Sequence, residues 1–196
     1  MAEESGLIIE LGQDLLHQTC VMLRRNPGIT VPFSVNVSPV ELADEGWLGR
    51  VRSVLAETGI SGSRLVMELT ESAIFGSPEW TQPTLQAVRD LGCGLHLDDF
   101  GTGFSSIAHL RDVPLTGVKL DASFVRDLGD DAGPTRAIVL GLGALAASMG
   151  LEAIAEGVET EAQASILSEC GWEIAQGYLF GRAEPIIGAP APATAA

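Results

Sequence analysis

Leu95-His96-Leu97-Asp98-Asp99-Phe100-Gly101-Thr102-Gly103-Phe104-Ser105-Ser106 is the stretch around which the chain is organised. A short apolar run leads into two adjacent carboxylates and then into a loop rich in glycine and hydroxyl groups. Glycine permits tight backbone turns, and serine caps helices. Paired acids at a strand end form a candidate metal or acid–base site. Successive strand residues face opposite sides, so Asp98 and Asp99 are expected to diverge for as long as the strand persists. One would serve a metal inside a barrel or cleft, and the other would act at its rim.

Strands and helices alternate on both sides of this stretch. Upstream, Leu7 to Arg25 places Leu7, Ile8, Leu11, Leu15, Leu16 and Leu23 at mostly helical spacing. Phe33, Val35 and Val37 alternate with Ser34 and Asn36, which predicts a strand. Ser38-Pro39-Val40-Glu41 is a capping box with proline at the first helical position. It predicts one helix from the strand's end through Leu48, Val51, Val54 and Leu55 to a stop at Gly59. Leu65 to Glu71 reads as a strand with Glu68 inside it and Glu71 at its end. A helix around Leu85 to Leu91 stops at Gly92.

Downstream, a short helix is expected over Ile107 to Leu110, then a strand over Gly117 to Asp121 with Lys119 in an apolar setting. Gly133-Pro134 opens a long apolar helix that Gly150 closes. Glu152 to Glu156 is strand-like. Thr160-Glu161-Ala162-Gln163 is a second capping box, its helix stopping at Gly171, and Trp172 to Phe180 is the last expected strand. Residues 1–186 therefore read as one domain. Residues 187–196, made of Gly, Ala, Pro and Thr, read as a disordered tail.

Strand and helix repeated about five times, plus a final strand, is the pattern of a parallel α/β fold. An open doubly wound sheet and a β/α barrel both fit it. The polar residues discriminate between them. Asn36, Glu68 with Glu71, Asp98 with Asp99, Lys119 with Asp121, Glu156 with Glu159, and Gln176 all fall in or just after a strand's C-terminal half. A barrel draws its site from many strand ends, whereas an open sheet uses one switch point. The pattern favours a TIM-like β/α barrel.

Composition bounds the function. The 196 residues are 46% hydrophobic, and 26 acids against 11 bases leave a net charge of −15. That excludes a duplex nucleic-acid binder, which needs a basic footprint, and an anionic membrane surface as partner. A phosphate ligand would have to be met through a divalent cation. Cys20, Cys93 and Cys170 are far apart in sequence and spell neither a disulfide framework nor a zinc site. The N-terminus lacks a signal's basic region, and the longest apolar run, Ile138 to Leu151, is too short to span a bilayer. A reduced, cytoplasmic setting is the expectation.

Two tempting motifs fail on context. Asp99-Phe100-Gly101 spells the kinase metal motif, but no kinase Gly-rich loop or His-Arg-Asp accompanies it. Gly141-Leu142-Gly143-Ala144-Leu145-Ala146 mimics a dinucleotide fingerprint but lies inside an expected helix. His96 shares a face with Asp98 by alternation and reads as structural.

The chain resembles the EAL family of cyclic di-GMP phosphodiesterases. The matching stretches, in the family's order, are Ser34 to Ser38, Glu68 to Ser72, Asp98 to Ser106, Val118 to Val125, Ala155 to Thr160 and Gln176 to Phe180. The resemblance implies a β/α barrel and metal-dependent hydrolysis of cyclic di-GMP to linear pGpG, with Mg2+ or Mn2+. It implies Asn36, Glu68, Asp98 and Asp99 as metal ligands, with Asp99 also orienting water. Lys119 would hold the attacking water or phosphate, and Glu156 would act as general base. Gln176 would line the substrate site, and Glu71 would anchor the loop after Asp99. Family members often dimerise through that loop and carry sensory or GGDEF domains, so a homodimer and further domains are also expected.

The Glu-Ala-Leu stretch for which the family is named does not occur in the chain. The expectation is a barrel incomplete at its N-terminus, with about six of eight strands, from a fragment of a longer protein. Weak or absent hydrolysis by this chain alone follows from the missing ligand. The alternative is a non-catalytic module that binds cyclic di-GMP or a protein partner. Phe104 stands where the family commonly has tyrosine, removing one hydroxyl from the loop.

Overall fold

A computed structural model describes residues 2–75, 81–102, 110–129 and 133–184. The expected helix at Ile107 to Leu110, most of the loop after Asp99 including Phe104, and the tail from 187 lie outside the described residues, apart from Leu110 itself.

In chain order the elements are α1 (Leu7–Arg25), β1 (Phe33–Val37), α2 (Pro39–Leu42), α3 (Trp47–Thr58), β2 (Leu65–Thr70), α4 (Glu71–Phe75), α5 (Thr81–Asp90), β3 (Gly94–Phe100), β4 (Gly117–Leu120), α6 (Ala122–Arg126), α7 (Gly133–Ser148), β5 (Glu152–Ala155), α8 (Glu161–Glu169) and β6 (Ile174–Ala175). The sheet order is β1-β2-β3-β4-β5-β6, and β3 to β6 pair in parallel. Six successive strands, with helices in every interval but the partly undescribed one between β3 and β4, bear out the α/β reading.

The chain divides into two compact units. The first holds α1 to the N-terminal part of β2, together with α5. The second holds α4 and everything from Leu95 through β6.

In the first unit, Leu16, Cys20 and Leu23 of α1 are buried, as are Val51, Val54 and Leu55 of α3 and Val35 and Val37 of β1. Leu7, Leu11 and Leu15 are about half exposed instead. Four-residue spacing puts them on one stripe, beside the one that Leu16, Cys20 and Leu23 bury. The capping box forms as read: the Glu41 N–H donates to the Ser38 hydroxyl at 3.1 Å, and the Ser38 N–H donates to Glu41 Oε2 at 3.0 Å. The single helix expected after it is two. After Leu42 the chain turns at Asp44, whose carbonyl accepts the Trp47 N–H, before α3 begins. Glu41 is 5% exposed, and a Cβ on Gly12 would fall 1.7 Å from its Oε1. The mid-helix glycine of α1 is where this carboxylate lies against the helix.

In the second unit, Val118 and Leu120 of β4, Leu97 of β3 and Ala155 of β5 are buried, as are Val139 and Ala146 of α7 and Leu167 of α8. Trp172 is buried with its indole N–H donating to the Val139 carbonyl at 3.0 Å. The last strand is shorter than expected. It pairs only at Ile174 and Ala175, because Gly177 brings the backbone against Val158 and the chain turns away through Phe180. The helix α6 after Asp121 was not anticipated. Its N-cap is Asp121, whose Oδ1 accepts the Ser123 N–H at 3.0 Å. All three cysteines are buried and free.

Candidate functional site

The site of the second unit begins with an irregularity in β3. His96 pairs with Gly117 and Leu97 with Val118, but Phe100 pairs with Leu120. Two residues, Asp98 and Asp99, therefore oppose the single Lys119. This is a β-bulge, and Asp99 adopts a left-handed φ of 55° within it. The extra residue breaks the alternation of faces. The strand runs on to Phe100, as the burial of that ring at 4% exposure requires, yet the two aspartates are not forced to opposite sides. The unbroken alternation on which the expected divergence rests does not hold through Asp98 and Asp99. Beyond the bulge, Gly101 has a φ of 97°, and a Cβ there would come within 2.9 Å of the Phe124 ring. Only glycine fits that turn.

Lys119 is 5% exposed. Its ammonium lies 3.2 Å from Asp98 Oδ1 and forms an ion pair with Glu156 Oε1. The Asp98 contact is electrostatic, since its geometry falls outside that of a hydrogen bond. Gln176 Nε2 donates to the same Glu156 Oε1 at 2.8 Å. Asp98, Lys119, Glu156 and Gln176 thus form a chain across the C-terminal ends of four successive strands. Parallel pairing brings this about, because it aligns strand ends on one edge.

Asp99 joins them through charge. Burial raises its pKa above the ordinary aspartate value, and the neighbouring Asp98 and Asp121 carboxylates raise it further, against the pull of Lys119. Asp121 is held below its ordinary value, chiefly by the Ser123 hydroxyl and also by the backbone N–H groups of Ser123 and Ala122. The interaction between the Asp99 and Asp121 side chains raises the pKa of Asp99 and lowers that of Asp121. Asp121 was visible in the sequence as a polar strand-end residue, but no role was assigned to it. The Asp-x-Ser spacing at 121–123, an N-cap signature, is the sequence signal that could have found it.

These residues suit a hard divalent cation. Asp99 feels the like charges of Asp98 and Asp121, which a bound cation would offset. The donors are all oxygen, as Mg2+ and Mn2+ prefer. Among the described residues, no group of three or more His, Cys, Asp or Glu is already arranged around one metal position. Remaining ligands would come from water or a substrate phosphate, as is usual for Mg2+.

His96 lies one step below Asp98 on its strand, 5% exposed, with Nε2 3.4 Å from Glu152 Oε2. It is part of the packed interior, as expected. Glu71 opens α4 directly after β2; the loop it was expected to anchor lies outside the described residues. Asn36 and Glu68 belong to the first unit. Asn36 is an exposed residue of β1, between buried Val35 and Val37. It lines a cavity of about 10 Å³ with Glu41, Trp47 and Met67, about the room one water needs. Glu68 is 7% exposed within an otherwise apolar β2.

Residues 1–183 match the EAL domain family. The chain belongs to that family. PdeR of Escherichia coli, a cyclic di-GMP phosphodiesterase, is 36% identical over 190 residues, which are 95% of this chain and 28% of PdeR. The chain spans about a quarter of the length of the curated relatives it matches. Among solved structures, the MucR phosphodiesterase of Pseudomonas aeruginosa in complex with c-di-GMP is 34% identical. It superposes with a TM-score of 0.88, covering 94% of this chain and 76% of the neighbour. BlrP1 of Klebsiella pneumoniae, solved with manganese and c-di-GMP, is 26% identical with a TM-score of 0.79, covering 89% and 44%. The fold is therefore that of EAL domains, a TIM-like α/β barrel incomplete in this chain. No described helix is long and apolar enough to cross a membrane.

Proposed function

We propose that this EAL chain binds cyclic di-GMP at the strand ends bearing Asp98, Asp99, Lys119, Asp121, Glu156 and Gln176, and that these residues are built to hydrolyse it to pGpG. The observation that carries the reading is the Asp98–Lys119–Glu156–Gln176 chain, a buried ammonium between two carboxylates with an amide at its end.

A phosphodiester is anionic, and water at neutral pH attacks it slowly. Asp98 and Asp99 would hold Mg2+ or Mn2+. Such ions neutralise phosphate charge and lower the pKa of bound water. The chain's own residues supply the rest. Lys119, held on both sides by carboxylates, presents a fixed cation to a phosphate oxygen or to the attacking water. Glu156 is oriented by Lys119 and Gln176 together and receives the proton of that water. Gln176, exposed at the end of the row, contacts the substrate.

The chain contains no Glu-Ala-Leu stretch, and slow turnover by these 196 residues is the expected outcome. Binding without turnover is the second reading, and the same absence favours it. Calorimetric titration with cyclic di-GMP, with and without Mg2+ or Mn2+, and chromatography for pGpG test both. Metal-dependent binding with slow pGpG release is expected. Binding with no product, even in a fusion to the N-terminal strands of an EAL relative, would leave the receptor reading. No binding under any metal condition would reject both.

A further inference from the structure

One side chain ties together the two segments that carry the lysine–glutamate pair. Gln163 stands in the first turn of α8. Its Oε1 accepts the N–H groups of Glu159 at 2.9 Å and Thr160 at 3.0 Å, in the turn that follows Glu156. Its own N–H donates to the Thr160 hydroxyl at 3.2 Å, completing the capping box. Capping needs nothing more. Yet Gln163 Nε2 also donates to the Val125 carbonyl at 3.1 Å. Val125 lies in α6, the helix that Asp121 caps immediately beyond the Lys119 strand.

A capping box accepts glutamate as readily as glutamine. Only the amide can accept with one end and donate with the other. A second contact joins the same two segments. Gly157, with φ +69°, sits so close to α6 that a Cβ there would be 2.7 Å from the Ala122 Cβ. The turn after Glu156 is therefore held to α6 at both of its ends.

We propose that Gln163 is a positioning residue, which clamps the 156–160 turn to α6 and so sets the placement of Glu156 relative to Lys119. The consequence for ligand rests on the cyclic di-GMP reading above. The clamp itself does not.

The test uses the 196-residue chain carrying Gln163→Glu or Gln163→Ala. Glutamate keeps the acceptor for Glu159 and Thr160 but turns an oxygen toward the Val125 carbonyl. Hydrogen exchange followed by mass spectrometry should show amides of 122–126 exchanging several-fold faster in Gln163→Glu, with the first turn of α8 still protected. In Gln163→Ala both regions should exchange faster. The dissociation constant for cyclic di-GMP, by calorimetry, should rise about ten-fold in Gln163→Glu, in the range seen when supporting partners of a site are removed. Unchanged exchange at 122–126 in Gln163→Glu overturns the clamp. Faster exchange with unchanged affinity overturns the positioning role. If the unaltered chain binds no cyclic di-GMP, the binding-site reading fails, and the exchange result alone decides the clamp.

Discussion

Lys119 reaches from β4 to form an ion pair with Glu156, the residue directly after the neighbouring strand β5. The same ammonium lies 3.2 Å from Asp98 on the other side. Lys119→Met would leave two carboxylates, each less than one-fifth exposed, facing one another without a cation. Removing one partner of a buried pair costs about 3–5 kcal/mol, and the residual exposure here points to the lower end, about 3 kcal/mol. For a chain of this size that is a fall in Tm of roughly 6–12 °C. Calorimetric melting at pH 7 should show it. A Tm within 2 °C of the unaltered chain at pH 7 would show that solvent already satisfies both acids, about the shift expected of an exposed pair.

Asp99 stands among like charges, and its removal should be stabilising. Its pKa is raised by burial and by Asp98 and Asp121, so its ionised form is disfavoured in the folded chain. Asp99→Asn removes the charge, and asparagine tolerates the left-handed φ of 55° as aspartate does. Asp99 is only partly withdrawn from solvent, so screening limits the gain to roughly 0.5 kcal/mol, a rise in Tm of about 1–2 °C in metal-free buffer. Millimolar Mn2+ should reverse the order of the two proteins. It should raise the Tm of the unaltered chain by linkage, at about 2.7 kcal/mol for each hundred-fold excess over Kd, and should move Asp99→Asn less. Equal shifts in the two would remove Asp99 from the metal site.

What was legible in the sequence followed from local rules. Both capping boxes, the glycine stop at Gly59 and the apolar strands depend on neighbours within a few residues, and all of them formed. The strand-end row of Asp98, Lys119, Glu156 and Gln176 was legible because parallel strands align their ends. What was not legible depended on pairing between strands. The bulge at Asp98 and Asp99 exists only relative to β4, where one residue opposes two. The early end of β6 depends on Gly177 meeting Val158. Asp121 acquires its importance from Asp99, 22 positions earlier in sequence but adjacent in the fold. The break between α2 and α3 was a local feature that continued helical spacing concealed.

Glu41 supplies a pH dependence of known sign. Burial raises its pKa above the ordinary glutamate value, opposed by the Ser38 N–H and hydroxyl and by Arg50, while Glu3 adds to the rise. A folded pKa above the unfolded one means that the folded chain holds a proton the unfolded chain has released. Stability from this group is therefore present below the unfolded value of 4.5 and is lost as pH rises through the folded one. Glu41→Gln can still close the capping box, because glutamine serves at that position. The Tm difference in favour of the glutamine variant should be smallest near pH 4 and should widen to a plateau by pH 7–8. A difference constant across that range would show that Glu41 titrates alike in both states.

Gly143 sets two local preferences against each other. It is a buried residue in the middle of α7, where alanine is intrinsically favoured over glycine by about 1 kcal/mol. A Cβ at that position would lie 2.3 Å from the Cys170 carbonyl oxygen and 3.0 Å from the Trp172 indole nitrogen. The first neighbour is backbone, at the C-terminal end of α8, and cannot rotate aside. The second donates to the Val139 carbonyl one turn earlier in α7, so displacing it would leave a buried acceptor without its bond. Overpacking of this kind costs about 1–3 kcal/mol, and an unmet buried hydrogen bond costs about as much again. The clash outweighs the propensity gain, and Gly143→Ala should lower Tm by several degrees. Tryptophan fluorescence should report the displacement of Trp172 in the folded state below the transition. A rise in Tm with unchanged fluorescence would mean that α7 packs more loosely on the end of α8 and on Trp172 than the 3.0 Å indole bond requires.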